Sequence, residues 1–289
     1  MSDRVIGLRL IVLVTLFFFS LAVWFPVITF SSEEEEFLTV RFLDVGQGDS
    51  IQIVTPDGFE MLIDGGATSG VLRELEKNRR FFDRKIDVIM ATHPDTDHIG
   101  GLVDVLDRYQ VNMVMQSQVE HEASAARAFA RTAEAESAEI VSAIGGQIIQ
   151  LGASTTIHIL SPNGDTTNWE SNNASVVVQV VYGDIEFMLT GDAPSSIEDY
   201  LVGAYGADLE SEVLKLGHHG SKTSTSEKFL DTVSPEYAVV SAGLDNRYGH
   251  PHTSVMSRVF ERDIQTFSTA TEGTITFKSD GTDVWLDKD

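Results

Sequence analysis

There is no cysteine among the 289 residues. That absence excludes a disulfide framework, a thiolate metal site and a cysteine nucleophile, so any metal must be held by imidazoles and carboxylates. It says little about compartment, because a large domain outside a cell needs no disulfides. Positive charge is the second scarcity: 20 Lys and Arg stand against 44 Asp and Glu, a formal net charge of −24. A field of that sign does not attract nucleic acid. If the chain acts on a polyanion, a local basic patch or metal ions must do the attracting. Such self-repulsion destabilises a compact state at low ionic strength. A host living in high salt, where charge is screened over only ~3 Å at 1 M, is the expected setting. The scarcity of Lys relative to Arg agrees with it.

Repeats and low-complexity segments are absent apart from Glu33 to Glu36, which reads as a solvated linker. Long apolar runs are absent too, with one exception. VIGLRLIVLVTLFFFSLAVWFPVITF, from Val5 to Phe30, carries a single charge, Arg9. It is long enough to cross a bilayer. Arg4 and Arg9 lie at its start and the glutamates follow it, so the positive-inside rule puts the N-terminus in the cytoplasm and the remainder outside. Trp24 suits the outer interface. No A-x-A-like site follows, and the core exceeds a usual signal-peptide core, so the expectation is an uncleaved single-pass anchor in the cell membrane. Secretion after signal cleavage is the alternative. Residues 1–36 are thus read as anchor and acidic linker, and 37–289 as one domain.

Within that domain the pattern is of short strands with interspersed helices. FLTVRFLD, SIQIVT and FEMLID read as strands, the last two as a hairpin through PDG. A helix is predicted over VLRELEKNRRFF, a buried strand over DVIMAT, a helix over GGLVDVLDRY and a strand over VNMVMQ. HEASAARAFARTAEAESA reads as an Ala-rich surface helix and not a site. TTIHILSP, ASVVVQVVYG, IEFMLTGD, EVLKLG, YAVVSAG, DIQTFST and GTITFKS are further predicted strands. Helices are expected near SSIEDYLVG, SEKFLD and TSVMSRVFER. This alternation predicts an α/β fold of two sheets with helices on their outer faces.

The stretch THPDTDHIGG, residues 92–101, concentrates chemistry at the end of the DVIMA strand. In extended backbone His93, Asp95 and Asp97 project to one side, with His98 at the bend, and converging imidazoles and carboxylates are what a divalent metal requires. Gly100 and Gly101 are read as the turn into the next helix. A turn alone has no use for two histidines at fixed offsets.

The stretch resembles the H-x-H-x-D-H signature of metallo-β-lactamase-like hydrolases. It is more similar to the H-x-D-x-D-H-x-G-G form in the hydrolase domain of ComEC-type competence (DNA-uptake) proteins. LDVGQGDS (43–50), LIDGG (62–66), LTGD (189–192), LKLGHHGS (214–221) and SAGLDNRYGHPH (241–252) agree in order. The resemblance implies an αββα sandwich with a site for two divalent ions, Zn or Mn, at one edge between the sheets. The implied ligands are His93, Asp95, Asp97, His98, Asp192, His219 and His250, with Asp192 bridging. One of His218 and His219 is expected to bind metal and the other to give a proton to the leaving group; the resemblance favours His219 as ligand and His218 as donor. Asp97 is expected both to bind metal and to orient the attacking water. Asp49 and Asp64 are read as orienters of ligands. Gly46 and Gly48 let their loop approach the site, and Ser221, Lys222, Thr223 and Asn246 are candidates for phosphate contact. His252 is read as solvated, and His121 and His158 as ordinary surface or sheet residues.

Two departures matter. Many members of the family carry a His ligand where this chain has SNNAS, with Asn172, Asn173 and Ser175; the ComEC-type group shares that loss. Asp95 stands where a His is common, which hardens the site and favours Mn²⁺ beside Zn²⁺. The implied activity is metal-dependent phosphodiester hydrolysis, with DNA as candidate substrate and no organic cofactor. Hydrolysis of a small-molecule or lipid-headgroup ester (a phosphocholine ester or a lactam) is the alternative. A non-catalytic binding module comes third, and the complete ligand set argues against it.

Overall fold

The computed structural model describes residues 7, 9–20, 36–77, 79, 83–119 and 121–288. The chain divides into two compact units, Met1–Glu36 and Phe37–Asp289. In the first, residues 9–20 form helix α1, whose large apolar side chains, Leu13 and Phe19 among them, are exposed. Among the described residues no helix is long and apolar enough to cross a membrane. The expected spanning helix is therefore unsupported. The rest of the Val5 to Phe30 run, with Trp24, lies outside the described residues.

The second unit is built from two sheets. The first eight elements of its chain order are β1 (Leu38–Phe42), β2 (Ile51–Val54), β3 (Glu60–Ile63), α2 (Gly70–Lys77), β4 (Lys85–Ala91), α3 (Thr96–Arg108), β5 (Gln110–Gln116) and α4 (Ser124–Ala135). Strands β6 (Glu139–Ser142), β7 (Ile148–Leu151), β8 (Thr155–Ser161), β9 (Val177–Tyr182) and β10 (Ile185–Leu189) follow, then α5 (Ser195–Tyr205). Strand β11 (Val213–Lys215), α6 (Glu227–Val233), β12 (Tyr237–Val240), α7 (Thr253–Phe260), β13 (Gln265–Ser268), α8 (Thr269–Glu272), β14 (Ile275–Ser279) and β15 (Val284–Asp287) complete it. The eight-stranded sheet runs β15-β14-β1-β2-β3-β4-β5-β6, and the seven-stranded sheet β13-β12-β11-β10-β9-β8-β7.

Both faces of β4 and β10 are covered, which is why VIMA and FML within them read as apolar runs, whereas β1 and β2 alternate, with Thr39, Arg41 and Gln52 buried between their apolar residues. Alternate side chains of one strand serve different layers. Phe187 and Leu189 of β10 join Phe42, Ile53 and Phe277 in the core between the sheets. Met188, between them in sequence, packs instead with Leu201 of α5, Phe229 of α6 and Val255 of α7. On the other sheet Met61 and Ile63 face inward, while Leu62 meets Leu75 of α2, Leu102 of α3 and Phe129 of α4. The result is helices, sheet, sheet, helices: the αββα arrangement that the sequence resemblance implies.

Strands β3, β4, β5 and β6 are mutually parallel, as are β10, β11, β12 and β13. Their carboxyl ends are where open α/β sheets gather functional loops. The segments after β3, β4, β10 and β11 carry Asp64, His93, Asp192 and His219.

Two details differ from the sequence-based expectation. Helix α3 begins at Thr96, behind Asp95 as N-cap, so Asp97 and His98 lie in its first turn and not in extended backbone. Gly100 and Gly101 are consequently inside the helix and make no turn. A Cβ on Gly101 would lie 2.1 Å from Gly65 O, and one on Gly100 2.3 Å from Ala67 O. The glycines are needed because α3 packs directly on the backbone of the loop after β3. Strands β6, β7 and β15 had no counterpart in the expected pattern; they lie at or near the sheet edges and are only partly buried.

Candidate metal centre

The cluster is assembled around Asp192, three residues beyond Leu189, the buried last residue of β10. Its backbone N–H donates to Ser175 Oγ at 3.2 Å. Four imidazoles face its Oδ2: His98 Nε2 at 3.3 Å, His218 Nε2 and His219 Nε2 at 3.6 Å each, and His93 Nε2 at 3.9 Å. Three of these rings are fixed in the same way. His98 Nδ1 lies 2.7 Å from Asp64 Oδ2, His219 Nδ1 2.9 Å from the Ser241 carbonyl, and His93 Nδ1 3.0 Å from Thr92 Oγ1. Each ring thus has its Nδ1 occupied and its Nε2 turned to the common centre. The Nε2 atoms of His93, His98 and His219, and Asp192 Oδ1, are buried without a hydrogen-bond partner. Buried polar atoms left so are rare unless something else satisfies them.

The donors meet the size requirement for a cation. Ligand atoms of His93, His98 and Asp192 lie within 4.8 Å of one another, as do those of Asp97, His98 and His219, and those of Asp49, Asp192 and His219. His98 belongs to both of the first two groups and Asp192 to the first and third. That is the pattern of adjoining sites sharing ligands. Nitrogen and oxygen donors without sulfur suit Zn²⁺ or Mn²⁺.

The backbone is bent to reach this arrangement. Asp64, His218 and His219 all have φ near +50 to +60° (58°, 49° and 57°), a left-handed conformation that costs non-glycine residues roughly 1–3 kcal/mol each. Two consecutive such residues bring both His218 and His219 to face Asp192. Gly48 (φ 126°) is required for a different reason: a Cβ there would sit 2.0 Å from Asp97 O, and the next residue's N–H donates to that carbonyl at 3.2 Å. The loop before β2 thereby locks onto the first turn of α3.

The electrostatics of the cluster show what it lacks. Burial opposes charging His98, yet the Asp192 and Asp64 carboxylates hold its pKa well above the ordinary imidazole value. Burial opposes His219 as well, and Asp192 and Asp49 outweigh it, raising the pKa to about 9. His93 goes the other way, down to about 4, through burial and the neighbouring His98 charge. Asp192 is held well below the usual carboxylate range: burial works against this, but the imidazoles of His219 and His98 prevail. Protons on two imidazoles offset carboxylates that a dication would otherwise neutralise.

The remaining predicted residues fall into distinct positions. Asp95 accepts a hydrogen bond from Ser171 Oγ at 2.7 Å, and its Oδ2 is 3.8 Å from His93 Nε2. Asp97 Oδ2 is 3.5 Å from His219 Nε2. Asp64 also accepts from the Thr92 N–H and Oγ1. His218 is the partly exposed imidazole, with Nδ1 3.4 Å from both Asn172 Nδ2 and Thr223 Oγ1. Burial and His219 lower its pKa despite Asp192, so it is uncharged at neutral pH. Asn172, and not Asn173, is thus the amide at the imidazole. His250 packs against His218 with ring centroids 5.5 Å apart and stands outside the tight ligand groups, its Nδ1 buried without a partner. Asn246 uses its amide on Gly243 O and on both backbone groups of His250, so it braces the loop. Ser221 is buried and bonded to Thr223, and Lys222 is exposed.

Two residues escaped the sequence reading. Lys215, at the end of β11, is fully buried; its Nζ donates to Gly191 O at 2.8 Å, ion-pairs with Asp49 and lies 3.8 Å from Asp192 Oδ1. A lysine closing an apolar strand was the only signal. His121, read as an ordinary residue, has its Nε2 4.0 Å from Asp95 Oδ1 and lines, with His93, Gln116 and Arg127, a cavity of about 320 Å³ between α4 and the site.

Comparison with known proteins agrees with this geometry. Residues 43–243 match the family model "Metallo-beta-lactamase superfamily". The chain is 30% identical over 265 residues to ComE operon protein 3 of Bacillus subtilis (strain 168), covering 86% of this chain and 33% of that protein. It is 32% identical over 249 residues to competence protein ComA of Neisseria gonorrhoeae, covering 85% and 32%. The chain therefore spans about a third of the length of the curated relatives it matches. Among solved structures, CmlA, a diiron beta-hydroxylase from Streptomyces venezuelae, superposes with a TM-score of 0.55 at 14% identity, covering 86% of this chain and 55% of CmlA. That likeness is of fold alone.

Proposed function

The chain belongs to the metallo-beta-lactamase superfamily as a metal-dependent hydrolase related to competence proteins, and from that premise we propose that it cleaves phosphodiesters, with DNA as its substrate. The observation that carries the proposal is where the few cations stand. In a chain of net charge −24, Arg127 lines the cavity beside His93, and Arg247 lines a cleft beside Asp97. Lys222 lies two residues beyond the 217–220 turn that presents His218 and His219. An anionic phosphodiester needs such local positive charge, because the overall field repels it.

His93, His98, His219, Asp97 and Asp192 would hold the ions, which when bound supply Lewis acidity toward water and phosphoryl oxygens. Asp64 and the Ser241 carbonyl keep His98 and His219 turned so that Nε2 faces the centre. His218, at the mouth and uncharged, takes up at Nε2 the proton that the attacking water gives up and passes its Nδ1 proton to the leaving oxygen, with Thr223 within reach. Asp97 lines the cleft and orients the attacking water. The Val5 to Phe30 run supports membrane attachment with the hydrolase unit outside the cytoplasm, and protease accessibility of the second unit in intact cells tests this.

The test is the full chain loaded with Mn²⁺ or Zn²⁺, at low and multimolar salt, assayed on plasmid DNA, bis(p-nitrophenyl) phosphate and a phosphocholine ester. Plasmid DNA and bis(p-nitrophenyl) phosphate should both be hydrolysed, and Asp97→Ala with His98→Ala should abolish it. Cleavage of the phosphocholine ester alone would replace the DNA reading with a small-substrate one, which the acidity of the chain favours.

A further inference from the structure

One exposed group beside the metal centre has no role in it. Tyr248, 52% exposed, stacks on His250 with centroids 5.7 Å apart and planes 20° apart. The Arg247 guanidinium lies 4.9 Å from the centre of the same ring, and its Nη2 donates to the Tyr248 hydroxyl at 2.7 Å. The hydrogen-bond partner of Arg247 is that hydroxyl, and the Asp97 carboxylate across the cleft acts on its charge. The loop is held in place: Asn246 Nδ2 donates to Gly243 O at 2.8 Å and to His250 O at 2.6 Å, and its Oδ1 accepts from the His250 N–H at 2.9 Å. Arg247 and Tyr248 line a cleft of about 430 Å³ together with Gln47, Thr96 and Asp97. The ladder His250–Tyr248–Arg247 therefore opens onto the space that Asp97 faces.

A single exposed tyrosine on a loop is ordinary and needs no explanation. A braced aromatic ring with a planar cation against it, in the cleft of a hydrolytic site, is a different object. Aromatic faces stack any nucleobase, and a guanidinium both stacks on a base and pairs with phosphate. Bases inside a duplex are already stacked on each other and present no free face. Resting on the phosphodiesterase reading above, we propose that Tyr248 and Arg247 form a stacking platform for the unpaired nucleobase adjoining the scissile phosphate, which makes the site selective for single-stranded nucleic acid.

Binding can be read without catalysis, because Tyr248 and Arg247 lie outside the candidate ligand groups. Fluorescence anisotropy of the full chain in EDTA would compare oligothymidine of about 12 nucleotides, within the span of common single-strand sites, with an abasic strand of equal length and with a duplex. The base-bearing strand should bind at least about fivefold more tightly than the abasic strand and the duplex, the order expected from stacking one base. Tyr248→Phe should keep that ratio, Tyr248→Ala should bring it to near one, and Phe260→Ala, an exposed aromatic at the end of α7, should leave it unchanged. A wild-type ratio near one, or a ratio that survives Tyr248→Ala, overturns the platform. If bis(p-nitrophenyl) phosphate is nevertheless hydrolysed by the Mn²⁺-loaded protein, the phosphodiesterase reading stands alone. A ratio that behaves as expected without any phosphodiester hydrolysis supports the platform as a single-strand surface and removes the hydrolytic reading. Absence of both binding and hydrolysis overturns both.

Discussion

Against the cost of burial, Asp192 and Asp64 hold the His98 pKa well above the ordinary imidazole value, and Asp192 and Asp49 raise that of His219 to about 9, so both rings carry a proton at neutral pH even with the Lys215 ammonium beside Asp49. Metal ligation through Nε2 needs both rings neutral, so binding must release protons. The sign follows: above about 9 the His219 proton is already gone, and below it the proton competes with metal. Apparent affinity should fall by about tenfold per pH unit for each proton displaced as pH drops from about 9 toward neutrality. Calorimetry of Zn²⁺ or Mn²⁺ binding in buffers of different ionisation enthalpy counts the protons; a count of zero at neutral pH would falsify the ligand roles of His98 and His219. His93 adds nothing to that count, being held neutral by burial. Asp64 gives a second residue-scale test. It touches no shared donor atom but sets the orientation and basicity of His98, so Asp64→Asn should weaken metal binding by about 10–100-fold. Asparagine tolerates the left-handed backbone that Asp64 adopts, so the fold should survive and the loss should appear in metal titration rather than in thermal melting.

At the scale of elements, the decisive contact is α3 lying on the loop after β3. Gly101→Ala would put a Cβ 2.1 Å from Gly65 O and 2.5 Å from Thr68 O, so the helix must move away from the loop that carries Asp64. Overpacking of this kind costs about 1–3 kcal/mol. Gly203→Ala in α5 is the matched comparison: exposed, with nothing within 4 Å of its Cβ, it should gain up to about 1 kcal/mol of helix propensity. Opposite shifts in urea midpoints check the pair; equal shifts would show that α3 does not need the close approach. This contact also marks how far the sequence could be read. Strands such as β4 and β10 were legible because both their faces are apolar, and His93, Asp97, His98, Asp192 and His219 were legible as ligand types at strand ends. The start of α3 was not, because Gly100 and Gly101 look like helix breakers until the loop backbone they pack against is known. Lys215 was hidden for a similar reason: a terminal lysine reads as solvated, and its burial is made tolerable by Asp49, brought from the loop before β2, together with the Gly191 carbonyl. His121 gave no signal because its approach to Asp95 depends on where the segment before α4 returns.

For the whole molecule, the −24 charge sets two salt dependences against each other. Repulsion among unpaired carboxylates is long-ranged, and screening shortens its reach from about 10 Å at 0.1 M to ~3 Å at 1 M. Raising NaCl over that range should therefore raise the melting temperature of the full chain. A gain of about 2 kcal/mol would correspond to roughly 4–8 °C for a domain of this size. Binding of single-stranded DNA should respond differently. Each phosphate neutralised contributes a slope of about −0.7 to log K against log salt, so contacts from Arg247 and Lys222 alone predict about −1.4. Screening of the overall repulsion between two polyanions acts in the opposite sense and flattens that slope further. The expected slope thus lies between zero and about −1.4, measured by anisotropy in EDTA across the same salt series. A slope several units steeper would mean an extended basic track, which a chain with 20 basic side chains among 44 acidic ones does not offer in the cleft described. If melting temperature rises while affinity barely falls, hydrolysis should persist at multimolar salt, where proteins that grip DNA through many phosphate contacts let go.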